Sequence, residues 1–218
     1  MLIPAMARRH SNKYAMSRKT RNSLTALIAV LILAFSLADR LFVNPKVSTA
    51  VSGNQQLADF ENLHNKEFIV PYVVDGDTFD IDYPDKNFKH TRIRLLGIDT
   101  PETKKPNTPV MHFGPEASEK TKQLILNKRV IILLDSVSKT RDKYGRLLCY
   151  AKISDGRILN ELLVEGGFAY ADLRFQHSFY SKYESLMKKA RKNKIGLWQN
   201  INFEQFPGWL KKNRPNWQ

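Results

Sequence analysis

Cysteine is nearly missing from this chain. Cys149 is the one thiol in 218 residues, so no intramolecular disulfide can form and the fold must hold by burial and hydrogen bonding. It sits in the apolar run Leu147-Leu148-Cys149-Tyr150-Ala151, the setting of a small buried hydrophobe rather than a nucleophile. Histidine is scarce as well, and His64, His90, His112 and His177 have no partner at catalytic spacing, which leaves them as surface or packing residues. The residue pattern of an EF-hand is absent, so no dedicated calcium cage is encoded. No internal repeat occurs, and the first 38 residues contain no Asp or Glu at all.

What the chain has in excess is positive charge. Lys and Arg number 35 against 21 acidic residues, a formal +14. Setting aside the six basic residues among the first 38 leaves 29 basic and 21 acidic residues, still +8. An excess of that size points to a polyanionic partner, either nucleic acid or an anionic membrane surface. Charge alone does not separate the two.

The N-terminal end reads as an address. Residues 24–38 form an apolar run, with Arg18, Lys19 and Arg21 before it and Asp39-Arg40 after it. Fifteen apolar residues suit a secretory core segment and fall short of the roughly 20 needed to span a bilayer. Ser36-Leu37-Ala38 places small residues for signal cleavage near Ala38, while Leu41-Phe42-Val43 would extend the run into a retained anchor. Met16 is an alternative start that gives a compact basic leader. Both readings of residues 1–43, signal peptide or transmembrane anchor in contact with membrane or export machinery, export the remainder to a periplasmic or extracellular location.

Residues 44–65 are small and polar without clear periodicity and are expected to be a linker. From Phe68 the pattern alternates through Val74, turns at Asp75-Gly76, and returns through Phe79, Ile81 and Tyr83. Residues 91–98, 130–134 and 147–153 complete five expected strands. Helical spacing marks three segments: Ala117–Ile125 entered through Gly114-Pro115, Ile158–Leu163 closed by Gly166-Gly167, and Phe179–Ala190. The expected class is α+β: a five-stranded OB-fold β-barrel with three packed α-helices, preceded by the signal or anchor segment. The domain is expected over 66–199, followed by an aromatic, basic tail at 200–218.

Two acidic clusters stand at strand ends, Asp75-Gly76-Asp77 and Asp99-Thr100-Pro101-Glu102. Either alone reads as a turn. Antiparallel pairing would bring Asp77, Asp99 and Glu102 to one rim, where three carboxylates repel unless a cation intervenes. With no His or Cys beside them, an all-oxygen site fits Ca²⁺ or Mg²⁺ rather than zinc. Arg92 and Arg94 share one face of the third strand, and Arg146 ends the segment Asp142-Lys143-Tyr144-Gly145-Arg146. Guanidinium groups beside a hard-cation site match phosphate oxygens and hold their charge through a phosphoryl transition state.

In this order and spacing the motifs resemble the staphylococcal nuclease family. They are Asp75-Gly76-Asp77-Thr78, Arg94-Leu95-Leu96, Asp99-Thr100-Pro101-Glu102-Thr103, Gly114-Pro115-Glu116-Ala117-Ser118, Asp142-Lys143-Tyr144-Gly145-Arg146, Asn160-Glu161 and Leu197-Trp198. The likeness covers about residues 66–199, with a slightly longer loop at Tyr83–His90. It implies a Ca²⁺-dependent endonuclease that cuts DNA and RNA to leave 3′-phosphate ends. Asp77 and Asp99 would hold Ca²⁺ by side chain and Thr100 by its carbonyl. Glu102 would serve as general base or orient the attacking water, and Arg94, chosen over Arg92 by the match, would grip the phosphate with Arg146. Lys143 and Tyr144 would line the nucleotide pocket. Where the family stacks tyrosines on nucleotide after the second helix, this chain has Leu173 and Phe175, with Tyr170 or Tyr180 as the nearby replacements.

The competing expectation is a catalytically weak or inactive OB-fold module that only binds nucleic acid. Such modules lose acidic or arginine positions, and all five are kept here. An envelope protein using its basic surface would explain the charge but leave the carboxylate–arginine set idle. No obligate protein partner is expected.

Overall fold

The computed structural model describes residues 45–103 and 110–217, and side chains from residue 53 onward. The apolar run at 24–38 and the cleavage position at Ala38 lie outside the described residues. Among the described residues no helix is long and apolar enough to cross a membrane. One compact unit runs from Gly53 to the C-terminus.

The first described element is a helix, α1 (Pro45–Leu63), where a linker was expected. Pro45 suits a first helical position, because its missing N–H has no intrahelical partner there anyway. Apolar periodicity could not reveal this helix, since polar contacts anchor its C-terminal turns. Asp59 is buried and accepts hydrogen bonds from Thr140 Oγ1 at 2.8 Å and from the Arg141 guanidinium at 2.9–3.1 Å. Leu63 joins the core, His64 Nδ1 accepts from the Leu134 amide at 3.0 Å, and the Asn65 amide donates to Ile132 O at 2.7 Å.

The strands follow as β1 (Lys66–Ile69), β2 (Tyr72–Val73), β3 (Thr78–Ile81), β4 (Thr91–Leu95), β5 (Ile98–Asp99), β6 (Arg129–Leu133), β7 (Leu147–Lys152) and β8 (Tyr170–Ala171). Two of the five expected strands are therefore broken, each for a local reason. Pro71 has no N–H to give a ladder, so the first strand divides into β1 and β2. Gly97, at φ 75°, turns the chain after β4, and a Cβ there would lie 2.4 Å from the His177 ring. That turn sends Ile98-Asp99 off to pair with Tyr170-Ala171 in a separate two-stranded ladder.

The main sheet has the order β1-β6-β7-β4-β3-β2, with β4 and β7 parallel and the other pairs antiparallel. Its two edges, β1 and β2, are consecutive in the chain. Only Val70-Pro71 separates them, a reach of roughly 11 Å at most, so the sheet must bend until its edges approach one another. Asp82 fixes the approach: its amide donates to Ile69 O at 3.0 Å and its Oδ1 accepts from the Ile69 amide at 2.7 Å. Phe79, Ile81, Ile93, Leu95, Ile132, Leu147 and Cys149 fill the interior of the bend.

Helices α2 (Gly114–Ile125), α3 (Leu159–Glu165) and α4 (Tyr180–Lys192) fall where the spacing placed them, which makes the chain α+β. Asn160 of α3 is buried and works as a clamp: its side chain accepts from the Ala151 amide at 3.1 Å and donates to Leu96 O at 2.9 Å. The stretch expected as a tail is folded against the domain. It carries a fifth helix, α5 (Gly208–Asn213), and buries Phe206 and Leu210.

Candidate active site

Everything at the site hangs on the turn between β2 and β3. The amides of Val74 and Asp75 both donate to Thr78 O, and Asp75 Oδ1 accepts from the Asp77 amide at 3.2 Å. Helix α2 holds the turn from behind, through a 2.7 Å hydrogen bond from buried Thr121 Oγ1 to Gly76 O. Gly76 lets the second acidic segment close in, because a Cβ there would come within 2.8 Å of the Thr100 side chain.

That close approach joins the two acidic clusters. Asp77 Oδ2 accepts from the Thr100 amide at 2.8 Å and from Thr100 Oγ1 at 2.9 Å, while Asp77 Oδ1 accepts from Thr78 Oγ1 at 3.0 Å. Arg94, opposite Thr78 in the β3–β4 register, pairs with Asp77 and reaches Asp99 Oδ1 at 2.7 Å. Arg92 shares its face but not its role, since Asp80 takes it in two hydrogen bonds of 2.6 and 3.1 Å. Arg146 comes from the loop before β7 and is aimed by Asp142. That carboxylate accepts from Arg146 Nε at 2.7 Å and from the amides of Tyr144 and Arg146 at 2.9 and 3.0 Å.

Asp77, Arg94, Asp99, Thr100, Glu102 and Arg146 thus line a single polar cleft of about 240 Å³. Asp75, of the first acidic cluster, lines it too, and so does Arg174, which nothing in the sequence singled out. Burial raises the Asp75 carboxyl above its ordinary value; Arg94 opposes the rise and Glu102 adds to it. Arg174 approaches Asp99 Oδ2 at 3.5 Å and is itself held by Asp172 at 2.8 Å. A second unforeseen group is Trp209, whose Nε1 donates to Asp99 Oδ2 at 2.8 Å while its ring lies 4.9 Å beneath the Arg174 guanidinium. The aromatic content of residues 200–217 was the available signal, but nothing in the spacing tied it to Asp99.

Tyr144 and Lys143 stand at the rim. Tyr144 is 73% exposed, with Lys143 Nζ 5.0 Å and Arg146 Cζ 5.5 Å from its ring centre. Of the two tyrosines considered as replacements for stacking, Tyr170 is excluded. It is fully buried, packed edge-on against Trp198 and Trp209, and has no face to offer a base. Tyr180 is half-buried, whereas Phe175 is largely exposed beside Arg174.

In donor type the cleft fits a hard divalent cation. Asp77, Asp99 and the Thr100 carbonyl are oxygen donors, with neither His nor Cys among the lining residues. Two carboxylates and one carbonyl are fewer than the six to eight oxygens Ca²⁺ takes, so water and substrate would supply the rest. Among the described residues no group of three or more His, Cys, Asp or Glu forms a preassembled cage. Arg94 is the cation that bridges Asp77 and Asp99 here.

Comparison with known proteins gives one family. The model described as staphylococcal nuclease homologue matches residues 92–200, a span that includes Arg94, Asp99, Glu102 and Arg146 but begins after Asp77 and ends before Trp209. The thermonuclease of Staphylococcus hyicus is 37% identical over 150 residues, covering 68% of this chain and 85% of that protein. The thermonuclease of Staphylococcus intermedius is 35% identical over 185 residues, 84% of this chain and 99% of that protein. Endonuclease YncB of Bacillus subtilis is 33% identical over 132 residues, 60% of each.

Proposed function

The chain belongs to the staphylococcal nuclease homologue family, and from that premise we propose that it is an exported, Ca²⁺-dependent nuclease that hydrolyses phosphodiester bonds of DNA and RNA to leave 3′-phosphate ends. The observation that carries the proposal is the convergence of Asp77, Asp99 and Glu102 with Arg94 and Arg146 on one cleft. A nucleic-acid substrate would account for the basic charge and the chemistry of the cleft together.

Asp77, Asp99 and the Thr100 carbonyl would hold the cation, which when bound supplies Lewis-acid polarisation of a phosphate oxygen. The chain's own groups do the rest. Arg94 spends only two of its five N–H donors on Asp77 and Asp99, and Arg146 spends its Nε and Nη2 on Asp142, so each keeps donors for the scissile phosphate. Their fixed positive charge stabilises the negative charge that builds on the phosphoryl oxygens. Glu102 orients a water opposite the leaving 5′-oxygen and receives its proton. The new P–O bond forms to that water as the P–O5′ bond breaks; the departing 5′-oxygen takes a proton from solvent, releasing a 5′-hydroxyl end and a 3′-phosphate end. Lys143 and Tyr144, at the rim, contact the nucleotide beyond the phosphate.

The bent sheet supports an OB-type barrel. Counting β1 with β2 as one strand kinked at Pro71, and β4 with β5 as one kinked at Gly97, gives five strands with β3, β6 and β7. Export rests on the basic leader and the apolar run at 24–38, with release near Ala38 or retention by the same segment. N-terminal sequencing of protein from the producing cell should begin near Asp39 if the leader is cleaved; recovery of the full chain in the cytoplasm would overturn export.

The direct test of activity is to incubate the protein with single-stranded DNA in Ca²⁺ and then in a chelator. Fragments with 3′-phosphate ends should accumulate with Ca²⁺ and stop with chelator. Intact DNA in Ca²⁺ would end the nuclease reading.

A further inference from the structure

We propose that the loop joining β3 to β4 builds a second nucleic-acid subsite, in which Phe88 stacks a base of the strand that continues beyond the scissile phosphate. The inference rests on the nuclease reading and names a contact that reading does not require.

A cleft of about 500 Å³ opens beside the carboxylate–arginine cleft, and Arg146 lines both. Its far wall is the loop after β3, which supplies Lys86, Phe88 and Lys89; its near wall is Tyr144-Gly145. Phe88 and Tyr144 are each 73% exposed, the two most exposed aromatic rings described in the chain. An apolar ring held in water is poor use of a large side chain unless something covers it. The charge around these rings says what covers them. Lys86, Lys89 and Arg146 bring positive charge to the cleft, while its two acids are already neutralised, Asp80 by Arg92 and Asp85 by Arg141. Exposed aromatic faces set among cations form the surface that single-stranded nucleic acid uses, with bases stacked on rings and phosphates tracking the basic groups.

The platform is also built rather than incidental. The Asp85 and Phe88 backbones exchange hydrogen bonds of 3.0 and 2.9 Å, which closes a tight turn over Lys86-Asn87 and fixes where Phe88 stands. Thr91 Oγ1 ties the base of the loop to Tyr83 O at 2.8 Å. Arg141 then couples the two walls, since its Nη1 pairs with Asp85 and also donates to Gly145 O at 3.0 Å. One guanidinium therefore sets the loop bearing Phe88 relative to the loop bearing Tyr144 and Arg146. A strand whose phosphate is gripped by Arg146 has its neighbouring base led toward these rings.

The test uses the full chain, a fluorescein-labelled twelve-residue oligothymidylate and a chelator, so that binding is read by anisotropy without cleavage. Phe88→Ala should weaken binding roughly 5- to 150-fold, the loss that follows from removing one stacked base. Phe88→Trp should retain affinity and add an emission component that the oligonucleotide quenches. Lys89→Gln should lower the slope of log affinity against log salt by about 0.7. Because Phe88 is exposed, thermal unfolding should be unchanged in Phe88→Ala; if it shifts, quenching in Phe88→Trp decides. Phe88→Ala binding within twofold of the parent, with no quenching in Phe88→Trp, would overturn the subsite while a parent that cuts DNA in Ca²⁺ leaves the nuclease reading standing. A parent that neither binds nor cuts would remove both.

Discussion

Arg146→Ala is expected to slow phosphodiester cleavage by about 10²–10³-fold, the effect of removing one preorganised electrostatic donor from a phosphoryl transition state. The residue isolates that effect better than Arg94 does. Arg94 is bonded to both Asp77 and Asp99, so replacing it also leaves buried Asp77 without its cation and half-buried Asp99 with only the more distant Arg174. Arg146 leans on Asp142, whose Oδ1 remains engaged by the Tyr144 and Arg146 amides after the guanidinium is gone. The loop should therefore keep its shape while the cleft loses a charge. Arg146→Lys is expected to recover little, because an ammonium cannot reproduce a planar fork held by Asp142 at one edge and phosphate at the other. Glu102→Gln should give a loss of similar size for a different reason, since the amide cannot take the water's proton. Arg157→Ala, whose guanidinium is exposed and paired only locally with Asp155, should leave the rate unchanged. Single-turnover rates at saturating DNA and Ca²⁺ make the comparison, and an Arg146→Ala rate within threefold of the parent would remove Arg146 from the mechanism.

The residues of the acidic clusters were legible because their chemistry is local to strand ends. Alternation placed β3 and β4, and the structure pairs them antiparallel in the register that puts Thr78 opposite Arg94 and Asp80 opposite Arg92. Period two alone could not choose between the arginines. Asp80 makes the choice by occupying Arg92, and that partner is visible only once register is known. Trp209 and Arg174 were hidden for the opposite reason: their contact with Asp99 spans 110 and 75 residues of sequence and follows from how the C-terminal segment packs. Strand breaks divided in the same way. Pro71 lies in plain view in the sequence, and its consequence, that β1 and β2 reach opposite edges of one bent sheet, belongs to topology. Residues 44–65 misled because helical periodicity detects apolar stripes, whereas α1 is fastened by Asp59, a polar group invisible to that signal.

Asp59→Ala is the stability prediction with the largest expected effect, a loss approaching the roughly 3–5 kcal/mol of a broken buried ion pair, because Arg141 keeps only Asp85 of its two carboxylate partners. Asp59 is 2% exposed and the Arg141 side chain 14%, so water can reach neither group well enough to replace the other. A domain of this size has roughly 5–15 kcal/mol in total, so the variant should unfold at a clearly lower urea midpoint. Removing the chain before residue 66 should do the same, since it deletes Asp59 and Leu63 together. The consequence runs on to the active cleft. Arg141 is the group that pairs with Asp85 and holds the Gly145 carbonyl, and Gly145 directly precedes Arg146. Freed from Asp59, Arg141 should fix those two loops less firmly, and DNA affinity should fall even at temperatures where the variant remains folded. Asp59→Asn, which keeps a hydrogen-bond acceptor without the charge, should be intermediate in both measurements. Unchanged urea midpoints in Asp59→Ala would mean that helix α1 is an appendage, and that the loops carrying Phe88, Tyr144 and Arg146 are positioned without it.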